Sequence, residues 1–140
     1  MFAISRTSLI FVCAGVKIHT QTYRELVLKP VVKELSRTML SGKPFVSQQD
    51  GAPAHTSNAT QAWLRSNNPN FIGKEEWPPY SPDLNPMDYS IWSILETNAC
   101  SKSHTNVESL KRALCREWER IPQETLCAAV NAFPRDYKLL

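Results

Sequence analysis

Two acidic residues occupy places from which a carboxylate can do chemistry. Asp50 closes the run Phe45-Val46-Ser47-Gln48-Gln49, which reads as a strand, and Gly51-Ala52-Pro53 turns the chain directly after it. The C-terminal end of a strand with a turn beyond it is where α/β sheets present functional groups. Asp88 falls in the first turn of a helix that Asn85 would cap and Pro86 would open. A carboxylate there is either catalytic or a partner for the positive end of the helix dipole, worth about 0.3–1 kcal/mol. His55 either shapes a site around Asp50 or helps to start the helix that follows. Cys100 and His104, four apart, could share a metal, but no second ligand pair accompanies them and core thiols are the better reading. Arg112, Arg116 and Arg120 recur at four-residue steps and could meet phosphates, while Glu108, Glu117 and Glu119 beside them favour local ion pairs.

The elements that must position these residues alternate in type. Met1–Ser5 and Leu9–Val12 read as a β-hairpin across Arg6-Thr7-Ser8, though the turn lacks an Asn-Gly or Gly-X signal. Thr22 and Glu25 have capping-box spacing, and Tyr23, Leu26, Val27, Val31, Leu35 and Met39 predict one amphipathic helix over residues 20–39. Pro30 lies inside it and predicts a kink or break, because an interior proline removes a hydrogen bond and costs about 3 kcal/mol. After the strand ending at Asp50 comes a helix over 55–66, then a short strand at Phe71-Ile72. Residues 75–86 are a proline-rich loop, since each X-Pro step drives its neighbour toward extended backbone. Three helices follow: from Met87 to Ala99, from Asn106 or Thr105 with Val107, Leu110, Leu114, Trp118 and Ile121 inward, and over 123–133 with Leu126, Ala129, Val130 and Phe133 inward. Strands alternating with helices predict an α/β architecture with a partly parallel sheet.

Composition narrows the class. A chain of 140 residues with 42% hydrophobic content can bury one core and is short for two. The net charge of +3 is uneven: residues 1–49 hold seven Lys/Arg against two Asp/Glu, and residues 50–140 hold nine against eleven. A basic first third either attracts phosphate backbone or is a solvated helix face. Cys13, Cys100, Cys115 and Cys127 form no C-x-x-C pair and predict reduced thiols of an intracellular protein. No apolar run approaches the ~20 residues of a membrane span, and the N-terminus lacks a signal-peptide layout.

Two long motifs then change the weight of the two aspartates. Q-Q-D-G-A-P-A-H-T-S at 48–57 and W-P-P-Y-S-P-D-L-N-P-M-D-Y at 77–89 together resemble the catalytic core of mariner-like DNA transposases of the Tc/mariner superfamily. G-V-K-I-H-T-Q-T-Y at 15–23, I-W-S-I-L-E at 91–96 and H-T-N-V-E-S-L-K at 104–111 resemble the same family in consistent order. The resemblance implies an RNase H-like fold whose three carboxylates hold two divalent ions, Mg²⁺ or Mn²⁺. Asp50 matches the second carboxylate and Asp88 the third, which is Asp in one branch and Glu in another; 37 residues separate them. Both are thereby implied as catalytic and metal-binding residues. The two carboxylates should lie close enough to share a metal region, with Asp50 ending a central strand. Asp83, in the preceding S-P-D-L-N-P stretch, reads as a turn residue. His55 becomes a candidate nucleic-acid contact, and Trp77 and Tyr80 could stack on a base or pack against their loop.

The chemistry explains the carboxylates. Phosphodiester cleavage and strand transfer need an activated attacking oxygen and a stabilised leaving oxygen. Two ions about 3.5–4 Å apart serve both, held by hard oxygen ligands. The resemblance also implies DNA (transposon ends) as partner, transposition and integration as the process, a nuclear location, and a homodimer or an assembly with an intact transposase. The departures matter equally. In the family the first carboxylate lies on a strand before the equivalent of Met1, and the acids before Asp50 here, Glu25 and Glu34, lie on the expected helix. The sequence is expected to carry no helix-turn-helix domain upstream, the Arg6-Thr7-Ser8 turn is short, and the tail from Pro134 differs. The sequence therefore predicts a catalytic domain truncated at its N-terminus, with weak metal binding and no cleavage by the chain alone. A repurposed or relic non-catalytic module, binding nucleic acid or protein, is the alternative.

Overall fold

The computed structural model describes residues 6–35, 45–68 and 70–133. These fall into two compact units, one built from Ile10–Ser81 and the other from the segment up to Leu9 together with Pro82 onward. Each has its own apolar cluster among the described residues, where length and hydropathy predict a single core.

In the first unit, helix α1 runs through Thr20–Tyr23, a π turn at Arg24–Leu28, and Lys29–Glu34. It starts at Thr20 as predicted, but Thr22 does not cap it: His19 is the N-cap, with its carbonyl accepting from Tyr23 N at 2.8 Å, and Thr22 lies inside the helix. Pro30 neither breaks nor ends it. The π turn just upstream loosens the i→i−4 ladder where the proline has no N–H to give and its ring would crowd the Leu26 carbonyl. A π turn also carries an extra residue, which shifts the apolar stripe: Leu28 is buried and Leu26 exposed. Tyr23, Leu28 and Leu64 form this unit's core, with Val27, Val32, Ala54, Trp63 and Phe71 packed against them.

Residues 45–50 form no strand, and the expected strands shrink to one parallel bridge, Ser47 to Phe71, among the described residues. Ser47 N donates to Asn70 O and Ile72 N to Ser47 O, both at 2.9 Å. Between the bridged residues lie α2 (Pro53–Thr56) and α3 (Asn58–Asn67), so the connection keeps the strand–helix–strand order of a parallel crossover. The single helix expected over 55–66 is divided at Ser57, whose side chain caps α3 by accepting from Thr60 N at 3.3 Å.

The second unit is helical. Helix α4 combines a π turn at Met87–Ile91 with Trp92–Ala99, α5 is Val107–Arg120, and α6 is Gln123–Asn131. Asn106 caps α5, accepting from Ser109 N at 2.8 Å. Ile91, Leu95, Trp118, Ile121, Leu126 and Ala129 make the core. Val107 and Val130, expected inward, are exposed; Val107 opens the first turn of α5, Ala129 is buried as expected, and Ala113 is buried as well. Leu9–Val12 forms no strand. The segment before it is held by side chains instead: the Trp118 indole donates to Thr7 O at 2.8 Å, and Arg6 donates to Ile121 O and Glu119 O, both at 2.7 Å. Met1–Ser5, residues 36–39 of the expected first helix and the tail from Pro134 lie outside the described residues. Cys13, Cys100 and Cys115 are exposed and Cys127 half-buried, not the core thiols the sequence predicts.

Candidate active site

Asp50 follows the Ser47 bridge by three residues and ends no strand, contrary to expectation, and the turn after it anchors its side chain. Its Oδ1 accepts Ala52 N–H at 3.0 Å and His55 Nδ1 at 2.6 Å. An ionised carboxylate can only accept, so His55 carries its proton on Nδ1. Two donors on one oxygen fix the carboxylate's orientation, and the side chain remains 46% exposed. Pro53 opens α2 and places His55 one turn on, with His55 N donating to Ala52 O at 2.9 Å.

A further layer holds the histidine. The Tyr23 ring lies 4.5 Å from the His55 ring, tilted by 47°. The Tyr23 hydroxyl accepts from Gln49 Nε2. Burial, and secondly the Asp50 charge, push the Tyr23 phenol up to about 12. Gln61, buried in α3, donates to His55 O at 3.0 Å and accepts from Lys74 N at 3.2 Å. Asp50 opens on a cleft of about 270 Å³ whose lining includes Gln49, Thr56, Gln61, Lys74 and Trp77. The sequence pointed to Asp50 and His55; it did not point to Tyr23, Gln49 or Gln61 as their support. The one available signal was Tyr23 itself, a hydroxyl-bearing ring on an otherwise aliphatic stripe.

Asp88 lies in the other unit, in the first turn of α4 as expected. Asn85 caps that turn, with Oδ1 accepting from Met87 N at 3.2 Å and Nδ2 donating to Asp88 Oδ2 at 2.9 Å. Asp88 is exposed, and its place satisfies the helix dipole whatever else it does. Asp83 sits in a short 3₁₀ turn, Pro82–Leu84, matching its reading as a turn residue. Trp77 is buried and packs, whereas Tyr80 is wholly exposed with a positive φ of 57°.

The comparisons with known proteins decide the family. Residues 6–111 match the model of the DDE superfamily endonucleases. The chain belongs to that family. Its relatives are Tc1/mariner-type transposases. It is 34% identical to the transposable element Tc3 transposase of Caenorhabditis elegans over 114 residues, covering 80% of this chain and 32% of that protein. With the Tc1 transposase of the same organism it shares 31% over 94 residues, 67% of this chain and 33% of that protein. With the Tcb1 transposase of Caenorhabditis briggsae it shares 32% over 114 residues, 81% and 40% respectively. The chain thus spans about a third to two fifths of the length of these relatives. Membership implies an RNase H-like fold, and the parallel bridge from Ser47 to Phe71, with two helices between, is the part of the described residues that accords with it. The described residues are nevertheless mostly helical, which corrects the strand-rich order read from the sequence.

Members of this family use divalent metal ions, and the donors here suit such ions in kind. Asp50 and Asp88 offer hard carboxylate oxygens at partly exposed positions. Gln49 Oε1, next to Asp50 in the chain, is a buried acceptor without a donor among the described residues. In number the donors are few: among the described residues no three His, Cys, Asp or Glu side chains converge on one point.

Proposed function

We propose that this chain is a portion of a transposase catalytic domain in which Asp50 and Asp88 are two of the three carboxylates that hold divalent ions at a DNA phosphodiester. The observation carrying this reading is the anchoring of Asp50. Two donors hold Oδ1, which leaves Oδ2 as the oxygen to face an ion, with the rotamer already set. Mg²⁺ or Mn²⁺ held by such carboxylates would activate the attacking oxygen and stabilise the leaving one. The chain's own residues do the positioning. His55 and Ala52 N–H orient Asp50, Tyr23 and Gln61 hold His55, and Asn85 orients Asp88. His55 meets DNA, in this proposal, through the Nε2 edge of its ring. The basic first third adds salt-sensitive affinity for the backbone. Acting on chromosomal DNA places the protein in the nucleus, as a homodimer or beside an intact transposase.

These 140 residues supply two matched carboxylates, so the chain by itself binds metal weakly and does not cleave. Loss of one ion's stabilisation is worth several kcal/mol, and each ~1.4 kcal/mol is tenfold in rate. The test incubates the chain with end-labelled transposon-end DNA and Mg²⁺ or Mn²⁺, with Asp88→Asn alongside. No measurable nicking is expected. Specific nicking that vanishes in Asp88→Asn would overturn the incomplete-site reading while keeping Asp88 in its role. A second reading, a DNA-binding module without catalysis, is favoured by the lack of three converging ligands among the described residues. Binding of end DNA that is indifferent to both metals and to Asp50→Asn would select it.

A further inference from the structure

The helical unit carries a feature separate from both aspartates. A groove of about 380 Å³ lies between α5 and the loop that precedes it, and its lining includes Lys102, His104, Arg112, Arg116, Glu117 and Arg120. The arginines sit on one stripe of α5 at four-residue steps, so Arg112 to Arg120 spans about 12 Å of axis at ~1.5 Å per residue. In sequence this stripe is ambiguous, because acids flank it. The side chains resolve the ambiguity. Glu108 pairs with Lys111 at 3.8 Å and Glu119 with Arg6 at 4.0 Å, so neither neutralises the groove. Glu117 alone among these acids lines it, and it holds two arginines at once: Arg116 Nε at 2.9 Å and Arg120 at 3.0 Å. Their charges hold its carboxyl below the ordinary range, Arg116's hydrogen bond foremost. Four cations against one anion leave the groove at +3.

The wall beside the cations is fixed. His104 Nε2 lies 2.7 Å from Ala99 O and Nδ1 3.2 Å from Ser109 Oγ, so the ring is committed to the loop. Arg116 and Arg120 could be explained by the negative end of the α5 dipole. Arg112, two turns from that end, and Lys102, outside the helix, could not, and neither has an ion-pair partner among the described residues. A row of exposed cations 12 Å long, by the same ~1.5 Å rise, matches a row of anions better than one small anion. A DNA strand offers a phosphate about every 3.4 Å of its axis, or about three along this stripe.

We infer that this groove takes the phosphodiester backbone of duplex DNA, with Lys102, Arg112, Arg116 and Arg120 as its phosphate contacts. The inference rests on the reading that the chain acts on DNA, and it adds a binding surface that neither aspartate requires. Glu117 serves as a positioning residue that presents Arg116 and Arg120.

The test is anisotropy of a labelled mixed-sequence duplex with the full chain at a series of KCl concentrations. Arg112→Gln and Lys102→Gln should each reduce the slope of log affinity against log salt by about one and weaken binding alike on unrelated sequences. Arg112→Lys keeps the charge and should retain the slope, which separates charge loss from misfolding. Lys111→Gln removes a charge from the same helix outside the groove lining and should leave the slope unchanged. Inorganic phosphate should compete poorly. Slopes unchanged in both groove variants but reduced by Lys17→Gln would overturn the groove and leave DNA binding standing. Absence of duplex binding at low salt would sink both. Polyglutamate competing as well as duplex would also overturn the proposal, in favour of an acidic protein partner.

Discussion

Asp50 and Asp88 are carried by opposite strategies. Asp50 is held by a polar network drawn from four stretches of chain: Ala52 and His55 directly, Tyr23 and Gln49 behind them, Gln61 and Lys74 beyond. Asp88 is held by its own helix start, with Asn85 three residues back, in a unit whose core is apolar packing around Trp118 and Leu95. The support of Asp50 is therefore lost mainly by breaking hydrogen bonds across the chain, and that of Asp88 by breaking a local cap.

The largest effect is expected at the packed end. Trp118→Ala should cost about 3–5 kcal/mol, since it empties a buried site and orphans the Thr7 carbonyl. Denaturant unfolding followed by circular dichroism measures it; a loss under about 1 kcal/mol would mean the unit is not built around this ring. At the networked end, His55→Ala should cost less, about 1.5–3 kcal/mol for a hydrogen bond to a charged group. The Asn85→Ala cap loss should be about 1 kcal/mol. If the order of these two were reversed in the same denaturant experiment, the contrast between the aspartates would fail.

A pH effect sharpens the comparison. The phenol of Tyr23 is pushed up to about 12, so the folded state favours its protonated form. That contribution is complete below the ordinary phenol value near 10 and is lost as pH rises through about 12. Alkaline unfolding of the first unit should thus be shifted in Tyr23→Phe, which has no proton to lose there. Identical alkaline profiles for the two proteins would remove Tyr23 from the network. The smallest effect is expected at Tyr80. Its ring is fully exposed and its φ is positive, so Tyr80→Gly relieves backbone strain while adding unfolded-state entropy. The two nearly offset, and unfolding should move by less than about 0.5 kcal/mol; a larger loss would reveal a contact for the ring.

What was legible in the sequence follows the same division. The Asp88 end is local: Asn85 as cap, Pro86 as opener and the loop prolines are chemistry within a few residues, and they read correctly. The α5 start was legible to within one residue for the same reason, and the structure selects Asn106 over Thr105 as the cap. The Asp50 end is non-local. Its strand needed partners, and the described residues give Ser47 only Phe71, so β-branched composition alone overcalled the sheet. Pro30 reads as a breaker because helix propensity contains no π turn, and the phase shift of that turn exposes Leu26 and buries Leu28. Gln49 and Tyr23 could not be joined from sequence, as no period links residues 26 apart.

The central proposal is that Asp50, with its Oδ1 anchored by two donors and its side chain partly exposed, is a metal ligand together with Asp88. The direct measurement is paramagnetic broadening of backbone amide resonances on titration of the full chain with Mn²⁺. The account predicts selective loss of signals at Gly51, Ala52 and Met87–Tyr89 at low Mn²⁺, abolished by Asp50→Asn while the rest of the spectrum stays native. Broadening centred elsewhere, or the same pattern in Asp50→Asn as in the parent chain, would contradict it.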